Sequence, residues 1–334
     1  MKKLAALNFW VFFLAASLLA NVCCAFADET GNRKSLEEFK HIISARYIYK
    51  DYKKVYWPSL YAKYEYPILS SRTEAEFAKN LNDLVMELKD AHFLVFDERE
   101  KRLSGNSRPK IKKNYNLKAI GGIVGNFTEF NSHVSVGSVD KVGYIMIKDW
   151  NFPSDSFDDV LPKSLLLDMF ADTRGLVIDV RMNGGGQIDS CEKFAGKFAS
   201  INLLAAYRHS LDSNGSLIKK EYYLRGTGEE YKKPIILLMG NMSASASEHF
   251  ILQMQVVPRV KTMGDNSQGS TGVPRRYALS NGTRLTVPSV ALMDLQNAYI
   301  EEYGIMPDER VRFVENNSDN VLVRAFQKLG ASVR

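Results

Sequence analysis

"KPIILLMGNMSASASEHFILQMQVV", residues 233–257, decides the fold. Its first part, "PIILLMG", is a short apolar run closed by Gly240 and reads as a buried strand. Its last part, from Ser245 onward, reads as a helix. Between them Ser243, Ser245 and Ser247 alternate with alanines. Ser245 and Glu248 have the spacing of a capping box, a structural reason for a serine at this point. A serine at a strand-to-helix turn is also well placed as a nucleophile. It stands exposed, with the next backbone N–H near the positive end of a helix. Such a hydroxyl needs a base within hydrogen-bond reach.

The same plan of buried strand, small-residue turn and helix occurs upstream in "GLVIDVRMNGGG" (175–186) followed by "QIDSCEKFAGKFAS". Gly184, Gly185 and Gly186 allow positive φ and close backbone approach. Their N–H groups, near a helix start, could hold an anion or a developing oxyanion. A tight turn with no chemistry is the other reading. The Gly-Lys-Ser/Thr ending of a phosphate-binding loop is absent. Asp179 and Arg181 flank the turn and read as an ion pair that braces it. Two such units make an α/β core with its chemistry at the turns.

Upstream, residues 28–95 read as a helical N-terminal domain. Ser35/Glu38 and Thr73/Glu76 both have capping-box spacing. Phe77, Leu81, Leu84, Val85 and Leu88 form one apolar helix face. Residues 96–118 are basic, polar and broken by Gly105 and Pro109, as in a linker or mobile loop. The core then spans 119–334. In it "AIGGIVG", "HVSVGSV", "GYIMIKDW" and "RVKTMG" read as strands, and "FDDVLPKSLLLDMFA" as a helix bent at Pro162. "YALSNGTRLTVPS" reads as a hairpin through Asn281-Gly282, and 318–329 as a last helix.

Residues 1–27 read as a secretory signal. A basic start precedes "LNFWVFFLAASLLANVCCAFA", which carries no charge, and Ala25-Phe26-Ala27 fits a cleavage site. The expected location is periplasmic or extracellular, without stable membrane insertion after cleavage. A retained anchor and lipidation at Cys23 or Cys24 are the competing readings. Loss of Lys2 and Lys3 takes the formal charge from +6 to +4. This excess is mild and spread along the chain, so no nucleic-acid partner is expected. Of three cysteines only Cys191 lies outside the signal. That excludes a disulfide within the mature chain and a zinc–thiolate cluster, and Cys191 reads as a small buried apolar residue.

Four motifs, "GLVIDVRMNGGG", "KPIILLMGNMSASASEHF", "GDNSQGSTG" and "EEYGIMPDERV", resemble in order and approximate spacing the S41 family of serine peptidases. That family includes tail-specific processing proteases, tricorn protease and the interphotoreceptor retinoid-binding protein. The resemblance covers roughly residues 140–312. It implies a crotonase-like (ClpP-like) ββα spiral core and a peptide or protein substrate. It implies Ser245 as the nucleophile, with oxyanion-hole N–H groups from Ala246 and from Gly185 or its neighbour Gly186. Neither a metal nor an organic cofactor is called for. Glu248 belongs to the motif and reads as structural support for Ser245.

The base departs from one branch of the family. Tail-specific members place a lysine where this chain has Ser270, and no lysine occurs between Lys261 and Lys328. The tricorn-like branch uses a histidine from the helical N-terminal region. His92, in "LKDAHFLVF", matches that element, and a neutral imidazole suits general-base work near pH 7. Of the other four histidines, His41 lies on an amphipathic helix face, and His133 and His209 have no acidic or serine motif around them; His249, four residues after Ser245 on the same helix, is the alternative base. Glu301 matches the late glutamate of the branch, with Glu302 and Asp90 as alternatives. Ala91 stands where that branch relays through a serine. Fewer than 50 residues separate His92 from "VGYIMIKDW", too few for the PDZ domain of many tail-specific members. The expected function is an exported serine endopeptidase. A binding protein on the same scaffold is the alternative, as the retinoid-binding relatives imply. An acyl-CoA enzyme of the crotonase type fits an exported chain poorly.

Overall fold

The structure, a computed structural model, describes residues 29–97, 99–103, 111–162, 164–228 and 231–333. The signal segment 1–27 lies outside the described residues. The chain divides into two units. Among the described residues, one holds 29–103 with Pro274–Pro288, and the other holds 111–273 with 289–333.

In the first unit, helices α1 (Glu29–Arg46), α2 (Trp57–Leu69) and α3 (Glu74–Met86) follow one another. Helix α3 buries Phe77, Leu81, Leu84 and Val85, the face read from the sequence. Thr73 caps it by accepting the Glu76 N–H at 3.1 Å, while the Glu76 carboxylate takes the N–H of Arg72 at 2.7 Å. Ser35 and Glu38 do not form a cap. Helix α1 begins at Glu29, so both residues lie inside it. Residues three apart share a helix face, and here that face holds the hairpin turn. Ser35 Oγ is 3.2 Å from Ser280 Oγ, and the Glu38 carboxylate accepts the Ser280 N–H at 2.7 Å.

Strand β1 (Leu94–Phe96) pairs antiparallel with the start of β11 (Arg284–Met293), Leu94 opposite Thr286. β10 (Val273–Ala278) also pairs with β11, and Leu279 N–H closes the turn on Thr283 O at 2.8 Å. Just after β1 the chain returns to it, with Leu103 N–H donating to Val95 O at 3.0 Å.

The second unit is built on a seven-stranded sheet in the order β12-β9-β8-β5-β4-β3-β2. These are β2 (Gly125–Glu129), β3 (Val134–Val139), β4 (Val142–Ile147), β5 (Gly175–Asp179), β8 (Ile235–Met239), β9 (Val260–Gly264) and β12 (Glu309–Arg310). From β4 to β12 all neighbours are parallel. Strands β5 and β8 are buried along their whole length, as parallel strands covered on both faces must be. Leu176, Ile178, Leu237 and Met239 enter the larger core with α6 (Ile188–Gly196) and α7 (Ala246–Gln255). Val177, Ile236 and Leu238 point the other way, onto α8 (Asn320–Lys328) through Val321, Leu322 and Phe326. The hairpin of β6 (Leu203–Leu211) and β7 (Leu217–Leu224) pairs with residues 290–293 of β11.

Two segments differ from the sequence reading. "AIGGIVG" is not a strand: α4 (Leu117–Ile123) runs through it. The Asn116 side chain accepts the Ala119 N–H at 3.1 Å, and this cap outweighs the strand signal of the following residues. "FDDVLPKSLLLDMFA" is split rather than bent. Helix α5 covers only Phe157–Val160, and a π-helical turn follows at Leu165–Met169. Pro162 forces Leu161 out of the helical region, to φ −131° and ψ 67°.

Candidate active site

The three alternating serines have three different environments. Ser243 is buried, and its hydroxyl donates to Val180 O at 2.8 Å and accepts the Gly240 N–H at 3.1 Å. It ties the turn after β8 to the end of β5. Ser247 is buried too, and accepts the Trp150 indole N–H at 3.1 Å. Ser245 is partly exposed and has φ 55° and ψ −121°. An ordinary N-cap is extended; this serine is held in a region that L-residues avoid, at a cost of about 1–3 kcal/mol. Strained backbone of this kind at a strand-to-helix corner pushes the side chain out of the turn.

The glycine turn explains how that strain is enclosed. Gly185 (φ +108°) lies so close to the serine that a Cβ on it would stand 2.7 Å from Ser245 Cβ and 2.9 Å from Ala244 O. Gly186 (φ +139°) is pressed on Trp150, where a Cβ would meet the backbone carbon at 2.4 Å. Trp150 donates its N–H to Gly185 O and accepts the Gln187 N–H, both at 2.9 Å. Asn183 completes the turn. Its side-chain oxygen accepts the Gly185 N–H at 2.9 Å, and its carbonyl accepts the Ala244 N–H at 3.2 Å. The Gly185 N–H is therefore committed within its own turn, while that of Gly186 takes no part in the bonds to Trp150.

Glu248 organises the other side. It is wholly buried, and its carboxylate receives four donors. Ser267 Oγ–H (2.6 Å) and Gly269 N–H (2.7 Å) reach one oxygen; Ser245 N–H (3.0 Å) and Ser270 N–H (2.9 Å) reach the other. The Ser245 N–H is shared with Ser270 O at 3.1 Å. Burial raises the Glu248 pKa above the ordinary carboxylate value, and the four donors oppose it. Glu301 is also wholly buried and accepts the Thr271 N–H at 3.0 Å. The loop 267–271 is thus held at both ends, by Glu248 and by Glu301. Glu302 is exposed, and its N–H donates to Gly269 O at 2.9 Å.

Beneath the glycine turn, Arg181 and Asp179 form the expected ion pair at 2.7 Å, wholly buried. A third member was not read from the sequence. Asp319, the cap of α8, pairs with Arg181 at 2.9 Å and accepts the Leu322 N–H. The Tyr144 hydroxyl donates to Asp179 at 2.8 Å. Cys191 is buried, and burial pushes its thiol well above the usual range.

His92 belongs to the first unit. Its N–H donates to the Asp90 carboxylate at 2.9 Å and its carbonyl accepts the Thr286 hydroxyl at 2.8 Å. Asp90 also accepts the buried Tyr47 hydroxyl at 3.0 Å. These bonds fix the backbone that carries the imidazole. His249 is buried in the second unit, with its Nδ1 3.3 Å from the Tyr222 hydroxyl and 3.4 Å from the Arg208 guanidinium. Among the described residues, no cluster of His, Cys, Asp and Glu has the makings of a metal site, and no helix is long and apolar enough to cross a membrane. Trp150 and Asn183 were missed by sequence reasoning. Asn183 had a signal, since an asparagine two residues before a glycine commonly bonds the backbone ahead of it; Trp150 had none.

Comparison with known proteins bears on both turns at once. The carboxy-terminal processing protease CtpB of Bacillus subtilis is 28% identical over 234 residues, covering 68% of this chain and 46% of CtpB. The chain spans about half the length of the curated relatives it matches. Among solved structures, a proposed peptidase from Parabacteroides merdae superposes with a TM-score of 0.75 at 22% identity, covering 90% of this chain and 97% of that one. The photosystem II D1 C-terminal processing protease gives 0.58 at 14% identity, with 90% and 97% covered. These likenesses establish the fold, an α/β core preceded by a helical region. The sequence profile of peptidase family S41 matches residues 141–311, just over half of the chain. That span contains the glycine turn, the strained serine, Glu248 and the loop they hold, and on it the chain belongs to peptidase family S41.

Proposed function

We propose that this chain is an exported serine endopeptidase of the tricorn-like type, with Ser245 as nucleophile and His92 as base. The observation that carries the reading is the backbone of Ser245, held at φ 55° with a glycine packed against its Cβ. Ordinary capping needs neither. In the reaction, Ser245 Oγ bonds to the scissile carbonyl carbon as its proton passes to the His92 imidazole. The carbonyl oxygen becomes an oxyanion, received by the Ala246 N–H at the start of α7 and by a glycine-turn N–H. Of the two glycines, Gly186 has the N–H that Asn183 does not hold. The C–N bond then breaks, the imidazolium protonates the leaving amine, and water hydrolyses the acyl-enzyme. Glu248 and Glu301 act as positioning residues through the 267–271 loop.

Family membership and the processing-protease names of relatives support peptide hydrolysis. The test is cleavage of a fluorogenic peptide library by the mature chain. Ser245→Ala is expected to abolish turnover, and His92→Ala to lower kcat by about 10²–10⁴-fold. Cleavage undiminished in His92→Ala would remove His92 from the reaction.

A further inference from the structure

The second unit carries a cleft of about 1110 Å³ between residues 111–118 and 310–316, away from the serine turn in its lining residues. Lys112, Lys113, Lys118, Arg310 and Arg312 all line it and are exposed. Only Asp265 and Glu315 oppose them among its lining residues, and Asp265 is taken by Arg310 at 3.4 Å. Lys112, Lys113, Lys118 and Arg312 form no ion pair among the described residues. A charge that is mild over the whole chain is therefore concentrated here.

The walls are held, not loose. Asn114 is buried, donates its side-chain N–H to Met239 O at 2.9 Å and receives Arg181 on its carbonyl at 2.8 Å. The Asn116 side chain donates to Asn316 O at 2.9 Å and so joins the two walls. Asn320 holds the far wall, donating to Arg312 O and accepting the Val314 N–H, both at 2.9 Å. A backbone held in this way spares a ligand the cost of ordering the loop, leaving that of the side chains. Tyr115 and Phe313, half-buried on the α8 side of the core, add apolar surface. The volume matches or exceeds that of a small-molecule pocket, about 300–1000 Å³, and suits a few residues of extended chain. The cleft is also linked to the serine turn, since the Tyr115 hydroxyl lies 3.5 Å from Met242 Sδ, three residues before Ser245.

We propose that this cleft is an exosite that docks an acidic, extended segment of the polypeptide substrate. The proposal rests on the peptidase reading, so binding and cleavage are tested apart. Binding is measured by fluorescence anisotropy on the full mature Ser245→Ala chain. The probes are a labelled peptide rich in Glu and Asp around a central Leu and its Gln/Asn counterpart. The acidic peptide is expected to bind at least about tenfold tighter, and more weakly as NaCl screens the charges. Lys112→Glu/Lys113→Glu/Arg312→Glu is expected to remove the preference. The milder triple change to Gln, with an unchanged thermal melt, guards against misfolding. Equal binding of the two peptides, or a preference surviving in both folded variants, overturns the site. Displacement of the peptide by phosphatidylglycerol vesicles or polyphosphate that bind more tightly overturns the peptide as occupant. In the active chain, an acidic flank on a cleaved peptide is expected to lower KM about tenfold with kcat unchanged, an effect lost in the triple variants. A chain that binds the acidic peptide but cleaves no peptide overturns the peptidase reading and the exosite role while leaving the binding site standing.

Discussion

Glu248→Gln preserves the shape of the side chain and removes half of its acceptors. In the native turn four donors converge on the carboxylate, two on each oxygen. An amide presents oxygen on one side only, so its NH2 must face two donors. The less costly orientation turns the NH2 toward Ser267 and Gly269, because the Ser267 hydroxyl can reverse and accept. The Gly269 N–H then loses its bond to the side chain. The Ser245 and Ser270 N–H groups keep an acceptor, now uncharged and about half as strong. A bond to a charged buried acceptor contributes about 1.5–3 kcal/mol, and release of a buried charge offsets part of its loss. The expected net loss is about 1–3 kcal/mol. Urea denaturation should show a lower midpoint with an unchanged m-value, and a fluorophosphonate should label Ser245 more slowly. The pH dependence has a definite sign. Burial holds the folded Glu248 pKa above its ordinary value of 4.5. Its contribution is then fully present below that value and is lost as pH rises through the folded pKa. The gap between wild type and Glu248→Gln should be wider at pH 4 than at pH 8. Wild-type stability and labelling rate in the variant would refute the view that this carboxylate clamps the serine turn.

Further outcomes follow from the same packing. Gly185→Ala adds a Cβ 2.7 Å from Ser245 Cβ at φ +108°, with an expected cost of about 2–5 kcal/mol from strain and overpacking. Thermal melts and labelling should both fall, and an unaffected variant would contradict the close approach. Arg181→Met leaves Asp179 and Asp319 buried together without their cation. The expected loss is about 3–5 kcal/mol in urea, with faster hydrogen exchange along α8; an unchanged midpoint would contradict the brace. Ser243→Ala and Ser247→Ala should each cost about 1–2 kcal/mol through the bonds to Val180 and Trp150. Both should still react with a fluorophosphonate, and a loss of labelling confined to either would move the nucleophile.

What the sequence revealed was local. Strands β5 and β8 are readable because both faces are buried, which leaves short unbroken apolar runs. The Ser245/Glu248 spacing predicts a contact that forms, with the carboxylate on the Ser245 N–H. The positive φ of Ser245 is not encoded in any spacing. It arises where the serine turn, Gly185 and the 267–271 loop meet, and these are far apart along the chain. Ser35/Glu38 shows the converse: the spacing is present, but tertiary contact with Ser280 uses it for another purpose. Gly121 and Gly122 make 119–125 look extended, yet the Asn116 cap and burial of Ala119 and Ile120 start a helix there. Strand β1 is three residues long, too short for a period to register. The basic cleft gathers Lys112 and Arg312 from positions 200 residues apart in the second unit, so total charge gave no hint of it.

The central claim is that Ser245, and not its neighbours, carries the chemistry. Its most direct test is intact-mass and peptide mapping of the folded chain after reaction with a fluorophosphonate. The account predicts a single adduct on the peptide containing Ser245, absent from Ser245→Ala and formed more slowly in His92→Ala. No adduct on folded protein, or one that maps to Ser243 or Ser247, would contradict it.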